Sequence, residues 1–253
     1  GVLADWTSLE GVSTYERTGD GCPTITLPND YCVGPVYASV IGLRPVLEFQ
    51  KMVTNMTTGQ VEAAGVTVTA TPGDTLRYRL TVNNVGSTPV TNMSLVDELD
   101  RLNASGMFVP GTLTVVPPVP GTNNTDPNGG AKGTGLVDIS NLSLDAAGGA
   151  NPTLVVEFDA QLAQVIPNTT VVLDPARLYL SGALYGDSDD IYITGSANPT
   201  PVTITSAPAF QVLKVSDDLT GDPTELMPGD TLRYTITVKN VGTENATGVS
   251  LRD

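Results

Sequence analysis

The stretch TPGDTLRYRLTVNNVG occupies residues 71–86, and a near copy, MPGDTLRYTITVKNVG, occupies residues 227–242. In the first copy, Pro72 takes the second position of a turn, which its fixed φ angle favours. The residues after the turn alternate between polar and apolar, and one phase is apolar over four positions: Leu76, Tyr78, Leu80 and Val82. A period of two predicts an antiparallel strand with one buried face. The doubled motif therefore predicts a repeated β-rich unit.

The composition of the chain also favours strands and turns. Of its 253 residues only 15% are charged, while 26 are glycine and 19 are proline. Threonine, valine and asparagine are abundant as well. β-branched residues favour strands, and Gly, Pro and Asn favour turns. We therefore predict an all-β fold class.

The repeat extends beyond the quoted motif on both sides. Downstream, the two copies align without a gap from Pro72 and Pro228 onwards, and upstream FQK aligns with FQVLK. Three polar positions are shared by the copies: Lys51 with Lys214, Asn84 with Asn240, and Asp97 with Asp253.

A self-similar unit of short strands and turns is typical of tandem Ig-like β-sandwich modules. We predict one complete module and one partial module. The predicted parts are an N-terminal segment over residues 1–45, a complete module over 46–208, and the first half of a second module over 209–253.

The repeated residues also resemble a known family. A lysine-bearing strand, then PGDTLRYTITVKNVG, then ATGVSLRD, resembles the conserved repeat of prokaryotic surface proteins called domain of unknown function eleven. The stretch TLVVEFDAQLAQVIPNTTVVLD, at 153–174, resembles the second half of that repeat. The resemblance covers about 46–208 and 209–253, and it implies Ig-like sandwiches with a structural or adhesive role. The chain departs from the pattern through a long excursion at 100–135 and a short second module.

The charge of the chain argues against several partners. The formal net charge is −15 and the isoelectric point is near 4.1. A surface this acidic repels nucleic acids and anionic membranes. No apolar run reaches the roughly 18 residues of a membrane-spanning helix. We predict an extracellular or cell-surface protein without a nucleic-acid partner or membrane insertion.

The chain contains no histidine. Histidine is the commonest general base and the commonest metal ligand, so Ser-His-Asp and Cys-His arrangements cannot exist here. We predict that the chain is not an enzyme.

The two cysteines, Cys22 and Cys32, lie in GCPTITLPNDYC. Without histidine they cannot complete an ordinary zinc site. An exported β-protein enters an oxidising compartment, so we predict a disulfide. The alternative is a free, buried pair of thiols.

Polar residues lie in the apolar phase of predicted strands. Lys51 lies between Phe49 and Val53, Asn84 is in phase with the apolar side chains of its strand, and Asp97 is in phase with Leu95. We therefore expect Lys51, Asn84 and Asp97 to point into the sandwich, and Lys214, Asn240 and Asp253 to repeat them.

A buried amine tends to be neutral and therefore nucleophilic. With an amide and a carboxylic acid beside it, it can form an intramolecular isopeptide bond, from Lys51 to Asn84. Asp174 is a rival acyl partner for Lys51. The alternatives are a hydrogen-bonded buried network, or, for Asn84, a cap on the turn before Gly86.

Two acidic clusters are candidate calcium ligands, because carboxylates on alternate loop residues suit a hard cation. The alternative is that they are ordinary solvated loops, and we predict no other cofactor. The clusters comprise Asp187, Asp189 and Asp190 in GDSDD, and Asp217, Asp218 and Asp222 in SDDLTGD.

These observations favour a structural subunit of an extracellular filament, stalk or layer. We expect self-association into a head-to-tail homopolymer, in which segment 1–45 of one copy completes the half-module 209–253 of the next by β-strand complementation. If the chain is a slice of a longer array, the missing strands lie downstream instead. The alternative function is an adhesin that binds a ligand through the 100–135 excursion.

Overall fold

The computed structural model describes residues 6–7, 18–19, 45–99, 106–129 and 135–253. The chain divides into two compact units, Gly1–Leu43 and Arg44–Asp253. In the first unit, strand β1 (Trp6–Thr7) pairs antiparallel with β2 (Thr18–Gly19). The predicted disulfide between Cys22 and Cys32 lies outside the described residues.

The second unit contains the remaining strands of the described residues. They are β3 (Leu47–Asn55), β4 (Gln60–Val61), β5 (Val68–Ala70), β6 (Thr75–Asn84), β7 (Val90–Glu98), β8 (Thr114–Val115), β9 (Thr122–Asn123), β10 (Leu136–Leu144), β11 (Thr153–Gln161), β12 (Val171–Leu173), β13 (Ala176–Leu180), β14 (Ala183–Asp187), β15 (Pro201–Ile204), β16 (Phe210–Asp218) and β17 (Leu232–Asn240).

Two five-stranded sheets form a β-sandwich. One has the order β4-β3-β6-β11-β8 and the other the order β14-β13-β7-β10-β9. Their inward side chains belong to a single buried core, to which β6 contributes Leu76, Tyr78, Leu80 and Val82. The predicted all-β fold class is confirmed, since the described residues form strands and turns without a helix. Accordingly, they include no helix that is long and apolar enough to cross a membrane.

A third, three-stranded sheet has the order β12-β15-β5, and its β15 runs parallel to β5. Its Val68, Val172 and Val202 are buried in the same core as the two larger sheets. The sandwich therefore continues as one hydrophobic core from β3 to β15.

The excursion predicted at 100–135 is not only a loop. Its described part, 106–129, adds β8 to the edge of one large sheet and β9 to the edge of the other. Phe108 and Leu113 from this part are buried in the core. The excursion is therefore integrated in the sandwich.

The hairpin of β16 and β17 repeats the pair of β3 and β6. Phe210 pairs with Asn240 and Lys214 with Ile236, as Leu47 pairs with Asn84 and Lys51 with Leu80. In the part of the chain that the structure describes, this sheet has only two strands, and most of its residues are exposed. The copies thus share register and differ in burial. The predicted boundary between residues 208 and 209 stays a prediction.

Candidate functional site

A lysine lies in the centre of the sandwich. Successive inward positions of β3 are occupied by Phe49, Lys51 and Val53, and the side chain of Lys51 has no solvent exposure. Alternation alone places it there, because every second side chain of a strand points to the same face. Burying an ammonium costs several kcal/mol unless a partner balances its charge, so its partners decide what the site can do.

Two carboxyl groups contact the lysine. Its Nζ atom lies 2.6 Å from Oδ2 of Asp97 and 2.9 Å from Oδ2 of Asp174. Asp97 lies near the end of β7 in the opposite sheet, while Asp174 follows β12 directly. Lys51 also donates a hydrogen bond to the backbone carbonyl of Asp174. Both aspartates are fully buried, so the cluster joins the two sheets in a dry environment.

Two aromatic rings complete the surroundings of the amine. The Nζ atom of Lys51 lies 4.4 Å from the ring centroid of Tyr78 and 5.5 Å from that of Phe158. The two rings stack on each other with centroids 5.4 Å apart. Tyr78 lies on β6 and Phe158 opposite it on β11. The ring faces favour a cation at this place and keep water away from it.

The charge state of the cluster follows from its burial. Desolvation raises the pKa of Asp97 well above its ordinary value, and the neighbouring charge of Asp174 raises this pKa further. The positive charge of Lys51 acts in the opposite direction but does not cancel the shift. Burial therefore favours the protonated form of the Asp97 carboxyl, whose Oδ2 lies 2.6 Å from the amine of Lys51.

Asn84 does not belong to the cluster, and the predicted pairing with Lys51 is wrong. Asn84 lies opposite Leu47, four residues along β3 from Lys51 and thus about 13 Å away. Its Nδ2 donates to the carbonyls of Thr88 and Asp145 at 2.8 and 2.9 Å. Its Oδ1 accepts a bond from the backbone N–H of Gly86 at 3.0 Å. The alternative, a cap on the turn, describes Asn84 correctly.

The second copy contains the same local geometry. Lys214 Nζ lies 2.6 Å from Oδ1 of Asp253 and 4.5 Å from the ring centroid of Tyr234. Asn240 caps its turn through Gly242 and Glu244, as Asn84 does. However, the side chains of Lys214 and Asp253 are 42% and 57% exposed. Among the described residues, neither a second carboxylate nor a second ring approaches Lys214.

The calcium candidates of the first cluster do not converge. Asp187 pairs with Arg177, while Oδ1 of Asp189 accepts a hydrogen bond from the backbone of Asn198. Asp190 is buried, and its Oδ1 accepts a bond from the N–H of Tyr192 at 2.8 Å. The three carboxylates therefore have separate partners and do not share one site.

The second cluster is equally dispersed. Asp217 pairs with Arg233 across the hairpin, and Asp218 accepts a bond from the N–H of Thr220. Asp222 accepts bonds from the backbone and hydroxyl of Thr224, which lower its pKa. Across 45–99, 106–129 and 135–253, no three acidic residues come together as a metal site. The described structure thus lends no support to calcium binding.

One buried carboxyl pair was not predicted. Glu62, directly after β4, is buried beside Asp190, and its Oε2 accepts a bond from the N–H of Val53 at 3.1 Å. Burial, with a smaller effect from the charge of Asp190, raises the pKa of Glu62 to about 7. The sequence around Glu62 has no alternation, and the two residues are far apart in the chain. Sequence patterns therefore contained no signal for this pair.

No family model matches the chain, and no curated protein matches its sequence. Several solved structures align with it. The C-terminal domain of the Streptococcus pyogenes antigen I/II-family protein AspA is 17% identical, with a TM-score of 0.37, over 62% of this chain and 46% of that chain. BcpA, the major pilin subunit of Bacillus cereus, is 10% identical, with a TM-score of 0.41, over 79% and 56%. The pilus backbone RrgB of Streptococcus pneumoniae is 12% identical, with a TM-score of 0.31, over 77% and 48%. The chain spans about half the length of these solved structures.

Proposed function

We propose that the chain is a structural subunit of an extracellular surface filament, stalk or layer. Copies associate head-to-tail when a β-strand of one copy adds to the β16–β17 hairpin of the next. The donor is the N-terminal segment 1–45. One observation carries the proposal. The hairpin repeats the pairing of β3 and β6, but the apolar side chains that are buried on β6 are exposed on the hairpin.

The difference between the two copies supports this function. Tyr78 and Val82 of β6 have no solvent exposure, whereas their counterparts Tyr234 and Val238 on β17 are 55% and 40% exposed. The edges of this sheet have no strand partner among the described residues. An exposed apolar sheet with free edges is a ready template for pairing with another chain. An added strand pairs with the backbone groups of the open edge, and its side chains cover the apolar face.

The adhesin alternative has weaker support. It uses the 100–135 excursion, and most residues of the described part, 106–129, are exposed, but exposure alone does not identify a ligand. The uncovered face of the β16–β17 hairpin indicates a specific contact, so we favour assembly as the function.

Electron microscopy and light scattering of the purified chain test this function. We expect filaments or concentration-dependent oligomers from the unmodified chain. A chain without residues 1–45 and a Val238→Lys variant remain monomeric, because they lack the donor and the apolar face respectively. Val171→Lys is the matched control, since Val171 is a similarly exposed valine on β12. Monodisperse monomers of the unmodified chain at every concentration would contradict assembly.

We also propose that Lys51 and Asp174 become joined by an amide bond, which suits a subunit under tension. In the dry site, a proton passes from the ammonium of Lys51 to Asp174, giving an amine and a carboxylic acid. Nζ attacks Cγ of Asp174, and a C–N bond forms as a C–O bond breaks. The hydroxyl leaves as water with a proton from Asp97, and Asp97 takes back a proton from the nitrogen. The contact of 2.9 Å between Nζ and Oδ2 supports this attack.

Intact-mass measurement tests the bond. With the cysteines reduced, we expect the chain to be lighter than its sequence by one water. Lys51→Met and Asp97→Asn variants have unmodified masses, because they lack the nucleophile and the proton carrier. Lys214→Met is the matched control and retains the loss of water. An unmodified mass of the natural chain would leave Lys51 in a non-covalent cluster and refute the crosslink.

A further inference from the structure

We infer that the β16–β17 hairpin accepts a strand of defined chemistry from a second chain. The strand lies antiparallel to β17, places an aromatic side chain opposite Tyr234 and, as its next residue, a carboxylate opposite Arg233. This inference rests on the strand addition proposed above and specifies which strands the hairpin selects.

The first copy contains this strand, which is β11. It pairs antiparallel with β6 along the edge that corresponds to the outer edge of β17, which has no strand partner among the described residues. Phe158 lies opposite Tyr78, and Asp159 lies opposite Arg77. Tyr78 and Arg77 correspond to Tyr234 and Arg233, because the two hairpins share one register. A strand that pairs with β17 therefore faces a tyrosine and an arginine at these positions, as β11 does on β6.

Charge complementarity identifies the residue opposite Arg233. In the first copy, Nε and a terminal nitrogen of Arg77 donate to both carboxylate oxygens of Asp159, at 2.7 and 2.8 Å. Arg233 makes one bond, of 3.1 Å, to Asp217, and its side chain is 61% exposed. Its guanidinium can still form the two-pronged contact that its counterpart makes. In the first copy Arg79 pairs with Glu157, whereas the second copy has Thr235 at the position of Arg79. The added strand therefore needs only the one carboxylate opposite Arg233.

An apolar groove receives the inward side chains of the strand. Its volume is about 380 Å³, and its walls are formed by the hairpin and the segment 246–251. The apolar lining residues include Phe210, Val212, Val238, Val249 and Leu251. In the first copy, Leu154 and Val156 of β11 are buried beside the corresponding part of β6. Two aliphatic side chains before the aromatic residue therefore fit this groove.

The test uses the whole chain and a synthetic peptide with the sequence of β11, Thr153–Gln161, carrying a neutral solubilising tail. Binding is followed by fluorescence anisotropy of the labelled peptide and by hydrogen exchange of the β17 amides. We expect saturable binding and protection of the β17 amides that do not pair with β16. Phe158→Ser in the peptide abolishes both signals, because it removes the ring that covers Tyr234.

Charge reversal makes the test specific. Arg233→Glu in the chain, or Asp159→Lys in the peptide, weakens binding about tenfold, and the two changes together restore it. Lys239→Glu is the matched control, since Lys239 lies on the same strand but opposite Thr153 of the peptide; it leaves affinity within about twofold at physiological salt.

Three outcomes would overturn the inference: no protection of β17 at saturating peptide, binding that ignores charge reversal, or an outer edge of β17 already protected in the chain alone. The proposed assembly is judged separately. Filaments that form although the peptide does not bind refute the inference and leave the assembly standing. Specific peptide binding without filaments supports the inference and refutes the assembly.

Discussion

Lys51 and Asp97 face each other across the two sheets of the sandwich, with Nζ 2.6 Å from Oδ2 and neither side chain accessible to solvent. Lys214 and Asp253 keep the same separation of 2.6 Å, although both are exposed. The contact geometry thus belongs to the local repeat, whereas the desolvation that gives the first pair its chemistry comes from the strands that cover it. This contrast allows each residue of the first site to be tested against its own exposed copy.

Replacing Lys51 by Met destabilises the sandwich strongly, because the variant lacks the proposed link to Asp174 and leaves two buried carboxyl groups without the amine that contacts them. We expect a loss of at least about 3–5 kcal/mol in the free energy of unfolding, measured by denaturant titration. Lys214→Met loses less than about 1 kcal/mol, because its ion pair is exposed to water. Equal effects of the two substitutions would show that burial of the first site does not matter energetically.

Replacing Asn84 by Ala removes a turn cap. The carbonyls of Thr88 and Asp145 then lose a donor in a partly buried setting, so we expect a loss of about 1–3 kcal/mol. Asn240→Ala removes the equivalent, exposed cap and costs less, because water replaces the lost donor. Thermal unfolding of both variants provides the comparison. If Asn84 acted with Lys51, the Asn84→Ala substitution would alter the intact mass of the chain relative to its sequence; we expect no such effect.

Much of the sandwich is predictable from alternation along the strands. The phase of β3 and β7 placed Lys51 and Asp97 on inward faces, and both are buried. Alternation also places Asn84 on an inward face, and Asn84 is buried. However, alternation identifies the face on which a residue lies and not its position relative to residues on the neighbouring strand. The register of β3 with β6 sets Asn84 four residues away from Lys51, and a sequence pattern does not contain this register.

The parts that escaped prediction depend on contacts between distant residues. Asp174 reaches Lys51 from a position 123 residues away, directly after a strand of three residues. β8 and β9 have two residues each, too few for a period of two to be recognisable. Glu62 and Asp190 meet through loops, where side-chain direction follows no periodic rule. For these residues the fold, and not the local sequence, determines the neighbours.

Gly121 is required where β9 begins against β10. Its φ angle is 87°, and a Cβ atom there would collide with the backbone carbonyl of Ser140. We expect Gly121→Ala to destabilise the chain by more than the roughly 1–2 kcal/mol that a left-handed φ alone costs. Gly182→Ala is the control, since Gly182 has a φ of 83° and open space around it. Chemical denaturation of both variants measures the difference; equal losses would mean that the contact with Ser140 is easily relieved.

Glu62 makes stability depend on pH. Its pKa in the folded chain is about 7, above the ordinary value of 4.5, so the folded state binds more protons than the unfolded state between these values. The free energy of unfolding therefore falls as pH rises from about 4.5 to about 7, by an amount on the order of 3 kcal/mol, and then levels off. Subtracting the pH profile of the Glu62→Gln variant isolates this contribution, because Asp97 titrates in both proteins. A difference that stays flat across this interval, or that grows in the opposite direction, would show that Glu62 is already ionised beside Asp190 in the folded chain.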